Sequence, residues 1–264
     1  MSDIDELLER TRAEGRAALV GYLPAGFPDL KTSIAAIEAM VDGGVDLVEV
    51  GLPYSDPVMD GPVIQAAADR ALAVGTRTTD VLDVVKAAAA TGAPTVVMTY
   101  WNPVERYGVD RFAADLAAAG GSGLITPDLT PDEADEWVEA AGRHHLDRIF
   151  LVAPSSTDER LAMTAEASSG FVYATAVMGV TGQREQSSSL APTLVERLRK
   201  VTDKPVGVGL GVSNGAQAHE VAQFADAVIV GSALVRCLLD ADEAGTGVDA
   251  VRELARELRQ GVER

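Results

Sequence analysis

Eight short apolar runs of β-prone residues recur along the chain, separated by stretches whose apolar positions fall at helical spacing. The runs are AALVGYL (17–23), VDLVEVGL (45–52), PTVVMTY (94–100), SGLITP (122–127), RIFLVAP (148–154), FVYATAV (171–177), PVGVGLG (205–211) and DAVIVGS (226–232). The stretches between them are rich in alanine and include 30–42, 79–90, 110–119, 131–142, 157–168, 193–201 and 215–223. Strands that are apolar throughout are buried on both faces, and strand–helix alternation points to a parallel sheet with crossover helices. Eight such units predict a single (β/α)8 TIM barrel of the α/β class over residues 1–264, since such barrels take ~250 residues. An open doubly wound sheet is the alternative. A helical pattern over 4–13 precedes the first strand and is read as an extra element. A last outer helix is expected over 248–262, after a surface loop at 241–247.

Composition narrows the function. The chain has 264 residues, and its 40 acidic against 22 basic side chains give a net charge of −18. Such a surface repels nucleic acid and anionic lipid, so neither is expected as a partner. Cys237 is the only cysteine, so no intrachain disulfide forms, which fits a reducing cytoplasm. No segment has the length and apolarity of a membrane span or the core of a signal peptide. The three histidines, His144, His145 and His219, show no metal-ligand spacing together with that cysteine, so no metal site is expected.

One strand breaks its own pattern. In VDLVEVGLPYSDPVMDGP (45–62), Glu49 shares a face with Val45 and Leu47 by strand alternation, and the following loop carries Asp56 and Asp60. An unpartnered buried carboxylate is costly. Glu49 is therefore either a satisfied core glutamate or an acid–base group at the end of the strand where barrel active sites sit. Apolar neighbours should raise its pKa, whereas Asp60, in a loop read as polar and open, should stay ionised. Glycines after the last two strands, Gly211 and Gly231 with Ser232, suit a phosphate cradle built from backbone N–H groups, or are simply turn residues. The stretch MGVTGQREQSSSLAP (178–192) is long for a connection after a strand, and reads as a lid or a plain surface loop.

Motifs in order along the chain carry a resemblance. VEVGLPYSDPVMDGPVIQ (48–65) resembles the signature of the tryptophan synthase α subunit family, joined by GYLPAGFPD (21–29), MTYWNP (98–103), PDLTPDE (127–133), GVTG (179–182), GLGVS (209–213) and VGSALV (230–235). The resemblance implies retro-aldol cleavage of indole-3-glycerol phosphate to indole and D-glyceraldehyde 3-phosphate, with no cofactor in this chain. It also implies a separate β subunit that holds pyridoxal phosphate, receives the indole and completes an α2β2 complex. Matched by position, Glu49 is the acid–base residue and Asp60 the carboxylate that holds the indole N–H. Thr181 matches the lid residue, and Gly182, Gly211, Gly231 and Ser232 match the phosphate cradle. Tyr22, Met98, Ile125, Tyr173, Leu210 and Ile229 match the indole pocket. Tyr22, Tyr54, Met59 and Leu210 depart from the residues common in the family, which affects packing rather than chemistry. Rival readings are a lyase releasing free indole without a β partner, a catalytically silent phosphate-ligand regulatory subunit, and a different phosphate-handling barrel. The apolar residues of the second and third loops (Pro53, Tyr54, Pro57, Val58, Met59, Trp101 and Pro103) are read as a partner surface, or as two loops packed on each other.

Overall fold

The computed structural model describes residues 1–175, 184–241 and 244–264, without the side chains of 184–189 and 244. Eight parallel strands close into a barrel in sequence order. They are β1 (Ala18–Pro24), β2 (Leu47–Gly51), β3 (Thr95–Met98), β4 (Gly123–Thr126), β5 (Asp147–Val152), β6 (Val172–Thr175), β7 (Val206–Gly209) and β8 (Ala227–Val230). β8 returns to β1, with Val20 opposite Ile229, so the sheet has no free edge.

Alternation along each strand sorts the apolar residues into two layers. One set faces the barrel axis and includes Val20, Leu47, Val96, Ile125, Ile149 and Phe171. The other set, including Leu19, Val48, Val97, Leu124, Val172 and Val228, packs against the outer helices. The extra N-terminal helix, α1 (Asp3–Ala13), belongs to the first set through Ile4, Leu7 and Leu8. It closes the end of the barrel where the strands begin. Its start is fixed by a capping box: Ser2 Oγ accepts from the Asp5 N–H, and the Asp5 carboxylate accepts from the Ser2 N–H.

Around the barrel run α2 (Leu30–Asp42), α3 (Pro62–Ala73), α4 (Thr78–Ala89), α5 (Trp101–Tyr107), α6 (Val109–Ala118), α7 (Asp135–His144) and α8 (Asp158–Ala167). They continue with α9 (Arg184–Arg199), α10 (Gly215–Ala222), α11 (Ser232–Leu239) and α12 (Ala244–Gly261). Several details depart from the sequence reading. The loop after β2 leads first into α3, opened by Pro62 in the first helical turn, where a missing N–H costs nothing. Trp101 starts a helix rather than extending a loop. Residues 131–133 form a separate 3-10 turn before α7. Residues 184–192, read as part of a loop, lie in α9 despite the internal Pro192, and buried Ala191, Leu194, Val195 and Leu198 bind that helix to the core. α12 begins at Ala244, inside the stretch read as a surface loop.

Val45 does not share a face with Leu47 and Glu49. The strand starts at Leu47, after a turn through Gly44 at φ +107°. Val45 lies before it, its N–H bonded to the Met40 carbonyl and its side chain in the outer layer. Leu47 and Glu49 remain on the axial face.

Candidate active site

Glu49 sits one turn of the pleat above Leu47, near the C-terminal end of β2 and opposite Tyr22 of β1. It is 1% exposed, and neither carboxylate oxygen accepts a hydrogen bond from any described residue. The alternative of a satisfied core glutamate therefore fails among the described residues. Burial alone raises its pKa from 4.5 to about 8. At neutral pH such a group holds a proton that it can give and take back, the property a general acid–base residue requires.

Two phenols share this space. Tyr22 and Tyr173 are pushed well above the ordinary tyrosine range by burial, with smaller contributions from the Glu49 charge at both and from Asp60 at Tyr22. Both therefore stay protonated at neutral pH. Glycines make room for their rings. A Cβ at Gly209 would stand 2.7 Å from the Tyr173 hydroxyl, and one at Gly51 would stand 2.6 Å from the Tyr22 ring. These two glycines escaped the sequence reading, because a glycine at a strand end looks the same whether it serves a turn or a neighbouring ring.

Asp60 is placed differently from the expectation. It is half-buried rather than open, and burial raises its pKa, opposed by a hydrogen bond from Tyr100. Its Oδ1 accepts from the Tyr100 hydroxyl at 3.2 Å, and its backbone carbonyl accepts from Gln65 Nε2 at 2.7 Å. Asp56, the other loop carboxylate, is exposed and bonds Ser55. Tyr100 was also missed as a site residue. It lies within the MTYWNP motif, but only the fold reveals that the end of β3 faces the loop after β2.

The remaining walls divide. Ile125 and Ile229 lie in the axial cluster, with Met98 and Tyr173 packed against it. Leu210 packs against the outer cluster instead, so the structure does not group it with the axial set. Thr181 and Gly182 fall outside the described residues. After β7 and β8, the latter next to β1 in the barrel, the two helix starts differ. α10 is capped by its own Asn214, which accepts from the Gln217 N–H at 2.9 Å. α11 has Gly231 as its N-cap and no side-chain cap, so no capping side chain accepts from the first-turn N–H groups that begin at Ser232. Gly211, at φ +72°, turns the chain after β7 with open space beside it. An uncapped helix start beside a glycine turn suits an anion.

These features coincide with a family. The family model described as tryptophan synthase alpha chain matches residues 8–263. The chain belongs to the tryptophan synthase alpha chain family. Its relatives include the tryptophan synthase alpha chain of Acidothermus cellulolyticus, 63% identical across all of this chain and 98% of that one. That of Salinispora arenicola is 66% identical across 99% of this chain and 98% of that one. Among solved structures, Mycobacterium tuberculosis tryptophan synthase in space group F222 superposes with a TM-score of 0.93 at 57% identity, covering 100% of this chain and 99% of that chain. Tryptophan synthase subunit alpha from Legionella pneumophila keeps a TM-score of 0.89 at 34% identity, with 99% and 98% of the two chains covered. As a member of this family the chain is a carbon–carbon lyase of the aldolase type that serves tryptophan biosynthesis. No described helix is long and apolar enough to cross a membrane.

Proposed function

We propose that Glu49 and Asp60 carry out the retro-aldol cleavage of indole-3-glycerol phosphate within the axial pocket. The observation that supports this most is the carboxyl of Glu49: buried, without a hydrogen-bond partner among the described residues, and pushed by burial well above the ordinary carboxylate range. Glu49 gives its proton to the indole ring carbon that bears the glycerol chain. The ring becomes an iminium cation, and the Asp60 carboxylate accepts the indole N–H and balances that charge. The proton of the adjacent glycerol hydroxyl then leaves to the Glu49 carboxylate as the carbon–carbon bond breaks. The bonding electrons return to the ring, giving neutral indole and an aldehyde, with no net proton consumed. The cationic ring is itself the electron sink, so this chain needs no organic cofactor for the step.

Ile125, Ile229, Met98, Tyr22 and Tyr173 would line the indole, with Leu210 behind. The phosphate would rest on the N–H groups at Gly231 and Ser232, with Gly211 beside it. Val58 and Met59 are 81% and 44% exposed on the loop that carries Asp60. Large apolar side chains on a loop tip suit a protein partner, here a β subunit that holds pyridoxal phosphate and takes up the indole, in an α2β2 assembly in the cytoplasm. The other loop residues fit the packed-loop alternative: Pro53 is buried, and Tyr54 packs on Tyr100 with ring centroids 5.3 Å apart.

Single-turnover indole release from indole-3-glycerol phosphate tests the proposal. Glu49→Gln should bind substrate and fail to cleave it, with a loss of ~10²–10⁴ in rate. Near wild-type cleavage would reduce Glu49 to a structural residue. The same assay with and without a β subunit separates the coupled enzyme from a free indole lyase.

A further inference from the structure

The hydroxyl of Tyr100 touches both the working end and the exposed tip of the loop after β2. Tyr100 follows β3 and is 5% exposed. Its oxygen accepts from the N–H of Val58 at 3.1 Å and of Met59 at 2.9 Å, and it donates to Asp60 Oδ1 at 3.2 Å. A phenol has two lone pairs and one proton. The two backbone N–H groups take the lone pairs, so the proton can only point at Asp60. Donors on the oxygen polarise the phenol and strengthen its own donation. The ring is held in turn by Tyr54, whose hydroxyl accepts from Asn102 Nδ2 at 3.2 Å.

We propose that Tyr100 is a positioning residue that ties the Asp60 carboxylate to the Val58–Met59 tip, so that moving the tip changes how firmly Asp60 holds a proton. This rests on the reading of Asp60 as the charge-balancing group. The geometry leaves few competing influences. Of the titratable groups, Tyr100 after β3 bonds Asp60 and Tyr22 of β1 feels its charge, while Glu49 stands opposite Tyr22 on β2 and Asp56 of the same loop is exposed and bonded to Ser55. Asp128, after β4, accepts from the Trp101 N–H at 2.9 Å. Among the described residues no lysine, arginine or histidine forms an ion pair with Asp60, and the Tyr100 hydroxyl is the group that favours its charged form. A protein seated on the tip would act through the same oxygen.

The test is a 13C NMR titration of the Asp60 carboxyl in the full chain, paired with the pH profile of kcat/KM. Tyr100→Phe should raise the Asp60 midpoint by about one pH unit, as loss of a hydrogen bond to a charged group implies. Turnover should fall by about tenfold while KM stays within about threefold, the pattern of a lost transition-state interaction. Met59→Pro, which lacks the N–H, should move the midpoint the same way by less. Tyr54→Phe, which leaves Asp60 untouched, should not move it. Site-specific 3-fluorotyrosine at position 100 preserves the shape and acidifies the phenol, so it should lower the midpoint. That arm decides the matter if Tyr100→Phe does not fold. An unmoved midpoint with Tyr100→Phe, with fluorotyrosine or with Met59→Pro would overturn the proposal, as would an equal shift in Tyr54→Phe. Wild-type turnover in Asp60→Asn would instead fault the reading of Asp60 itself.

Discussion

The two ends of the barrel handle buried charge in opposite ways. Where the strands begin, Arg16 grips both oxygens of Asp46 at 2.7 and 2.8 Å, and Asp46 also accepts from the Leu19 N–H at 2.8 Å. Nearby, Asp226 pairs with Arg199 and accepts from the Val206 N–H. Lys204 donates to three carbonyls around the end of α8. Where the strands end, Glu49 is more deeply buried than any of these and has no hydrogen-bond partner among the described residues. Burying an ion is tolerable only when it is paired and hydrogen-bonded. The first end meets that condition and serves stability. The second end gives its carboxyl no ion partner among the described residues, so burial holds the group neutral and makes it an acid that titrates near neutral pH. A buried carboxylate is thus a structural group or a reactive one according to what surrounds it.

The largest expected effect comes from removing the unpaired charge. Glu49→Gln should slow cleavage by ~10²–10⁴ yet stabilise the fold. The folded pKa of Glu49, about 8, lies above its ordinary 4.5, so the folded state holds the proton more tightly than the unfolded chain. Wild-type stability should therefore fall as pH rises from about 4.5 to about 8, by on the order of 4–5 kcal/mol in total. Glu49→Gln should flatten that part of the curve in urea unfolding at several pH values. A wild-type curve already flat there would remove the contrast.

The paired end should respond in the reverse sense. Arg16→Met leaves the Asp46 carboxylate one of its three hydrogen bonds, that from the Leu19 N–H, and should cost about 3–5 kcal/mol, as for a buried pair broken on one side. Turnover per folded molecule should stay at the wild-type level. A fall in turnover with unchanged stability would place function at the wrong end. A smaller effect is expected at the anion cradle. Gly211→Ala forces an alanine to φ +72°, a strain of about 1–2 kcal/mol. Gly231→Asp sets a negative charge on the uncapped start of α11, although a Cβ there fits at 3.4 Å from Tyr22. KM should rise in both variants, more in Gly231→Asp, and unchanged KM in a folded Gly231→Asp would remove this site.

The smallest effect sharpens the comparison through its one exception. Asp147, at the start of β5, is buried with Oδ2 unpartnered, and burial raises its pKa. Its raised value makes the folded state lose stability as pH climbs above the ordinary carboxylate range. Asp147→Asn should raise Tm modestly at neutral pH and not at low pH. An equal gain at both would mean that packing, not charge, is responsible.

Much of this was legible in the chain. Apolar runs buried on both faces marked the eight strands, because parallel strands cannot hide their polar positions on a solvated side. Glu49 was visible as the carboxylate near the C-terminal end of such a run, whereas Asp46 and Asp226 stand where their runs begin. What escaped was set by three-dimensional neighbours. Tyr100 acquires its role from a loop 40 residues away in sequence, and Gly51 and Gly209 from rings on adjacent strands. Asp60 was read as open because its loop is polar in sequence, whereas the fold sets it against Tyr100. The helical start of α9 overrode a serine-rich stretch and Pro192, as tertiary packing outweighs local propensity.

The most direct test is a 13C NMR titration that follows the side-chain carboxyl of Glu49 in the full chain, with Glu49→Gln assigning the resonance. A buried, unpartnered acid predicts a midpoint near 8. A midpoint at the ordinary glutamate value would mean that Glu49 is ionised and compensated at neutral pH, contradicting both the contrast between the two ends and the acid–base role built on it.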